Sequence, residues 1–95
     1  MIESLTIIFP VYNEEKRISS TFIDIKKFNR NKNFKSLEYI FVDDGSRDKT
    51  VYYLKKFINN NKSKKIIYKI LNIPSNNGKG FALKKGISLA KKNWI

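Results

Sequence analysis

The chain has 95 residues, 41% of them hydrophobic and 14% aromatic, with a formal net charge of +12. That length and apolar content fit one small domain, or a piece of a larger one, and exclude wholesale disorder. It contains neither cysteine nor histidine, which excludes a disulfide framework, a Cys/His zinc site and any Ser-His or Cys-His nucleophile pair within it.

Leu5-Thr6-Ile7-Ile8-Phe9 is a short apolar run closed by Pro10 and reads as a buried strand. Asn13-Glu14-Glu15-Lys16-Arg17 follows, with acids where the positive end of a helix dipole favours them. Ile18, Phe22, Ile25 and Phe28 then recur at helical spacing as one apolar stripe. The polar stretch from Asn29 to Ser36 ends that helix.

Leu37-Glu38-Tyr39-Ile40-Phe41-Val42 is a second predicted strand, running into Asp43-Asp44-Gly45-Ser46. Asp48 is placed to cap the next helix, whose stripe is Val51, Leu54, Phe57 and Ile58 and which Asn59-Asn60-Asn61 closes. Ile66 to Leu71 is a third strand, followed by a loop through Pro74 to Gly78. A third helix carries Leu83, Ile87 and Ala90 inward, with Gly86 allowing close packing, and Trp94-Ile95 opens a fourth strand.

The predicted order is β-α-β-α-β-α-(β). It implies a three-layer α/β fold with a parallel sheet, right-handed crossovers and cover on both faces. No internal repeat or linker divides the chain. It is expected to be a truncated gene product or fragment, because a natural domain seldom stops two residues into a core strand. The N-terminus lacks the basic flank and apolar run of a signal peptide, and no apolar stretch is long enough for a transmembrane helix.

The charge is unevenly placed. Residues 1–50 carry nine Lys/Arg and eight Asp/Glu, whereas residues 51–95 carry eleven Lys and no acid. A basic half of this kind suits phosphates, an anionic lipid surface or nucleic acid. It also matches the compositional drift of a chain rich in Lys, Asn and Ile, which is the preferred reading.

In open parallel sheets ligands sit beyond the carboxyl ends of the strands. Three polar constellations fall there: Pro10-Val11-Tyr12-Asn13-Glu14, Asp43-Asp44-Gly45-Ser46 and Asn77-Gly78-Lys79-Gly80. Tyr12 can stack on a base with its hydroxyl wet, or be an ordinary partly buried tyrosine. Glu14 can accept bonds from a ribose or base, or serve the helix dipole. Adjacent carboxylates at Asp43 and Asp44 call for donors or a cation nearby. Successive strand residues point to opposite sides, so one is expected to face a ligand while the other braces the loop. The same four residues also read as a turn. Lys79, between two glycines at a predicted helix N-terminus, suits a diphosphate, yet neither P-loop nor Rossmann spacing is present.

Three runs together resemble the family 2 inverting glycosyltransferases of the GT-A fold. They are residues 7–15 (Ile-Ile-Phe-Pro-Val-Tyr-Asn-Glu-Glu), residues 41–50 (Phe-Val-Asp-Asp-Gly-Ser-Arg-Asp-Lys-Thr) and residues 77–82 (Asn-Gly-Lys-Gly-Phe-Ala). The run Tyr12 to Ile18 with Gly-Lys-Gly looks closest to the dolichyl- or polyprenyl-phosphate glucosyl- and mannosyltransferase branch.

The resemblance implies that residues 1–95 are the nucleotide-sugar-binding half of a partial family 2 domain, truncated at the fourth strand. By position, Pro10, Tyr12 and Glu14 match the first nucleotide-contacting loop, with Tyr12 packing on the base. Asp44 matches the carboxylate that reads the base, with Asp43 beside it. Lys79 matches a basic position near the base and diphosphate. The implied reaction takes a hexose from UDP-glucose or GDP-mannose to an acceptor such as a polyprenyl phosphate, at the cytoplasmic face of a membrane. A divalent Mg or Mn ion is expected in the intact enzyme. Its Asp-x-Asp ligands and the catalytic base fall beyond this chain, so no metal ligand or catalytic residue is assigned here, and the fragment alone is expected to be inactive.

The rival readings are a small basic nucleic-acid-binding module and a nucleotidyltransferase. The first lacks a recognised motif and places acids where phosphates would approach, so no nucleic-acid partner is expected. The second usually opens with a Gly-rich loop where this chain has Pro-Val-Tyr-Asn-Glu.

Overall fold

The computed structural model describes residues 2–31 and 33–73. In order they form β1 (Ile2–Val11), α1 (Ile18–Asn29), β2 (Phe34–Asp43), α2 (Thr50–Asn60) and β3 (Ile66–Asn72). The third helix, the fourth strand and the loop holding Lys79 lie outside the described residues.

Among those residues the sheet is three-stranded, ordered β1-β2-β3, and parallel at both junctions. Two right-handed crossovers stepping in the same direction must place both helices on one face. The side chains follow that requirement. Leu5, Leu37, Tyr39 and Phe41 from the strands join Ile18 and Ile25 of α1 and Leu54 and Phe57 of α2 in one buried core. Phe22 and Phe57 stack at 4.3 Å and link the helices. Beneath them Phe9 stacks on Phe41 at 5.5 Å, and Tyr39 on Tyr68 at 5.6 Å, so aromatic rings span all three strands. The opposite face carries a second cluster of Ile40, Val42 and Ile73, with Ile8 and Leu71 against it.

The period-2 alternation that separates these faces also sends charge inward. Glu38 on the central strand has no exposed surface. Its Oε1 accepts a hydrogen bond from the Thr6 hydroxyl at 2.8 Å, and its Oε2 lies 2.6 Å from the Lys69 ammonium. Thr6 is the register partner of Glu38, whereas Lys69 pairs with Ile40 and reaches Glu38 diagonally. Thr6 is itself fully buried. A carboxylate at such depth is tolerated only with hydrogen-bonded and charged partners of this kind.

Among the described residues the element types match the sequence expectation, and their limits differ in three instructive places. First, β1 runs through Pro10 to Val11 instead of stopping at the proline. The Asp44 amide donates to the Val11 carbonyl at 3.0 Å, so Val11 and alternate residues before it face β2. The nitrogen of Pro10 therefore points away from β2, and its missing hydrogen removes no bond from that ladder. Second, α1 begins at Ile18 with no acid in its first turn. The Glu14 carbonyl accepts the Arg17 and Ile18 amides, making a turn ahead of the helix. The helix-dipole role expected of these acids is thus replaced by loop contacts described below. Third, β2 already starts at Phe34, whose ring packs 5.2 Å from Phe28. At the other helix, Asn61 stops α2 as expected, its side-chain amide donating to the Phe57 carbonyl at 2.7 Å.

Candidate functional site

The register brings the three strand ends to one level, because Val11 pairs with Asp43 and Asp43 with Asn72. The amide of Asp44 reaches Val11, and the Ile73 amide reaches the Asp43 carbonyl at 2.7 Å, continuing the ladder one step further. The loops after β1 and β2 consequently leave the sheet side by side. Tyr12 and Asp44 each follow a register-paired residue by one position. Of the six residues singled out from the sequence, Pro10, Tyr12, Glu14, Asp43 and Asp44 gather at this edge, while Lys79 lies outside the described residues.

The two aspartates are both buried, at 4% and 3% exposure. The Ser46 amide points at both carboxylate oxygens of Asp43, 3.3 Å from each. Asp43 thereby closes the turn at Gly45, whose φ of 82° lies where a side chain is disfavoured. This is the bracing role expected for one member of the pair. Tyr12 is exposed at the rim. The Glu14 carboxylate receives the Arg17 guanidinium at 2.6 Å in a partly exposed pair, a contact of little energetic weight at such a surface.

A set of residues that sequence reasoning missed holds the two loops together. The three consecutive amides of Asn13, Glu14 and Glu15 donate to two side chains of the second loop and one at the first residue of α2. Asn13 reaches Ser46 Oγ at 2.9 Å, Glu14 reaches Thr50 Oγ1 at 2.8 Å, and Glu15 reaches Asp48 Oδ2 at 3.1 Å. Two bonds run the other way. The Arg47 amide donates to Asn13 Oδ1 and the Lys49 amide to Glu15 Oε1, each at 2.9 Å. Asn13 adopts a left-handed φ of 48° to make its contacts, a conformation asparagine tolerates better than most residues.

Asp48 also accepts the Thr50 amide at 2.9 Å and the Thr50 hydroxyl at 2.5 Å, but it lies one residue ahead of the N-cap, which is Lys49 and makes no side-chain cap bond, so the cap expected at Asp48 is displaced by one position. Burial pushes the Asp48 carboxyl up, but its bonds from the Thr50 hydroxyl and the Thr50 and Glu15 amides outweigh this and hold it below its ordinary value. The available signal was that Ser46, Asp48 and Thr50 fall in the 41–50 run that carries the family resemblance; local spacing does not give their partners, which lie 33 to 36 residues away.

Among the described residues no group of three or more His, Cys, Asp or Glu is placed to hold a metal ion. No helix among these residues is long and apolar enough to cross a membrane.

A parallel sheet whose strand-end loops converge in this way is the beginning of a GT-A fold, and solved structures match it closely. The mannosyltransferase PcManGT from Pyrobaculum calidifontis, solved with GDP-Man and Mn2+, superposes with a TM-score of 0.75 at 20% identity, over 97% of this chain and 26% of that one. S. aureus TarS superposes with a TM-score of 0.71 at 23% identity, over 99% of this chain and 27% of the other. The sequence adds the family. The profile of Glycosyl transferase family 2 matches residues 6–95, and the chain belongs to that family. Relatives include a dolichyl-phosphate beta-glucosyltransferase of Dictyostelium discoideum, 38% identical over 94 residues that cover 95% of this chain. A human dolichyl-phosphate beta-glucosyltransferase is 33% identical over 90% of it. The chain spans 28% and 27% of the lengths of these two relatives.

Proposed function

We propose that residues 1–95 form the nucleotide-sugar-binding half of a glycosyltransferase that moves a hexose from a UDP- or GDP-linked donor to an acceptor such as a polyprenyl phosphate. The observation that supports this reading best is the placement of Tyr12 beside Asp44 on adjacent strand ends, one aromatic ring at the rim and one carboxylate 3% exposed. In this reading the Tyr12 ring packs on the base, and Asp44 accepts a hydrogen bond from a base N–H. Asp43 holds the turn that presents Asp44. Pro10 and Glu14 line the first loop, and Lys79 meets the diphosphate.

A divalent cation, magnesium or manganese, belongs to the proposed reaction, where it neutralises charge on the leaving nucleoside diphosphate. Its ligands and the base that activates the acceptor are expected outside the described residues. A lipid-phosphate acceptor places the enzyme at the cytoplasmic face of a membrane, and the names of the dolichyl-phosphate relatives favour that choice.

Calorimetric titration with UDP and with GDP, in the presence of manganese, tests the assignment. Asp44→Asn is expected to weaken the preferred nucleotide about tenfold or more, in line with the loss of one charge-assisted hydrogen bond. Affinity unchanged in Asp44→Asn would remove Asp44 from the base-reading role, and indifference to Tyr12→Ala would do the same for the ring.

A further inference from the structure

The sheet holds Val11 and Asp43 opposite one another, but Tyr12 and Asp44 stand one residue beyond the last register pair. Among the described residues the Asp44 amide bond to the Val11 carbonyl is the last backbone link between these two strand ends. The cross-loop hydrogen bonds carry the connection onward. Asn13, adjacent to Tyr12, is held by Ser46 Oγ, and the Ser46 amide is held by the carboxylate of Asp43, adjacent to Asp44. Two residues behind them Asp48 and Thr50 hold Glu15 and Glu14. Thr50 is fully buried, and its hydroxyl both accepts the Glu14 amide and donates to Asp48.

We propose that Ser46, Asp48 and Thr50 are positioning residues for nucleotide binding: a comb of three side chains that captures the amides of Asn13, Glu14 and Glu15 and locks the Tyr12 loop to the Asp44 loop. The inference rests on the nucleotide-binding reading above. Its physical basis is preorganisation. Two loops that fluctuate independently must be ordered when ligand binds, and that ordering subtracts from affinity. Loops already joined by five side-chain-to-backbone bonds spanning 33 to 36 residues of sequence meet the ligand without that loss. The three acceptors straddle the entry to α2: Ser46 and Asp48 precede it and Thr50 is its first residue, and together they meet three consecutive amides.

The test compares Thr50→Val, which keeps the shape and removes the oxygen, with Thr50→Ser, which keeps the oxygen. UDP and GDP affinities are measured by calorimetry well below the melting temperature, and amide exchange at residues 13–15 is followed in parallel. The expected result is about tenfold weaker nucleotide binding and faster exchange in Thr50→Val, with Thr50→Ser restoring binding to within about threefold. Ser46→Ala, a change at the partly exposed rim, gives the equivalent reading should Thr50→Val not fold. Undiminished affinity in Thr50→Val or Ser46→Ala despite faster exchange at residues 13–15 would overturn the positioning role while leaving the nucleotide reading intact. Failure of the unsubstituted protein to bind either nucleotide would instead remove that reading, and this inference with it.

Discussion

Replacing Thr6 by valine should destabilise the protein, although valine has nearly the same shape and is the more apolar of the two. Thr6 is fully buried, and its hydroxyl donates to Glu38 Oε1 at 2.8 Å. A hydrogen bond to a charged group contributes about 1.5–3 kcal/mol to stability. Burying a methyl group in place of the hydroxyl returns about 0.8 kcal/mol. The difference leaves a net loss of about 1–2 kcal/mol, which for a domain of this size lowers the melting temperature by about 5–15 °C. Thermal and urea unfolding followed by circular dichroism measure it. The comparison that isolates the cause is the same substitution in a Glu38→Leu background. With the carboxylate gone, Thr6→Val should become neutral or stabilising, so the effect changes sign. A Thr6→Val protein that melts at or above the parent temperature would refute the reasoning, as would an equal loss in both backgrounds.

Three further outcomes follow from the packing and the loops. Leu54→Ala, at a fully buried position on α2, should cost about 2–5 kcal/mol by urea denaturation, whereas Ile23→Ala, at a position 54% exposed, should change stability by no more than about 0.5 kcal/mol. The Asp48 carboxyl is held below its ordinary value of 3.8, so its contribution is complete above that value and is lost as pH falls through the lower folded one. Asp48→Asn should therefore flatten the acid limb of a stability-versus-pH curve below about pH 4, and a limb as steep as the parent's would count against the assignment. At Asn13, alanine loses the acceptor for Arg47 and must also hold a left-handed φ of 48°, while glycine loses only the acceptor. Asn13→Gly is thus expected to melt above Asn13→Ala by the equivalent of about 1 kcal/mol.

The sequence by itself determined the order and type of the five described elements and the face that α1 and α2 turn inward. Apolar spacing is a local property: Ile18, Phe22, Ile25 and Phe28 must share a side once the segment is helical, whatever surrounds it. The parallel arrangement followed from strand-helix alternation, and the convergence of Tyr12, Glu14, Asp43 and Asp44 followed from the parallel arrangement. The stop at Asn61 was also legible, because its side chain acts on backbone within a few residues of itself.

Only the tertiary structure decided the rest. Pro10 sits inside β1 because the neighbouring strand lies on the side its nitrogen does not face, and no local rule identifies that side. Glu14 and Glu15 precede α1 because their amides are drawn to Thr50 and Asp48, 36 and 33 residues away. Glu38 reads as a routine polar residue in an apolar run, yet the register places Thr6 and Lys69 against it and allows it to be fully buried. In each case a side chain's role depends on a partner from a distant segment, and that partner is chosen by the strand register, which is a property of the assembled sheet.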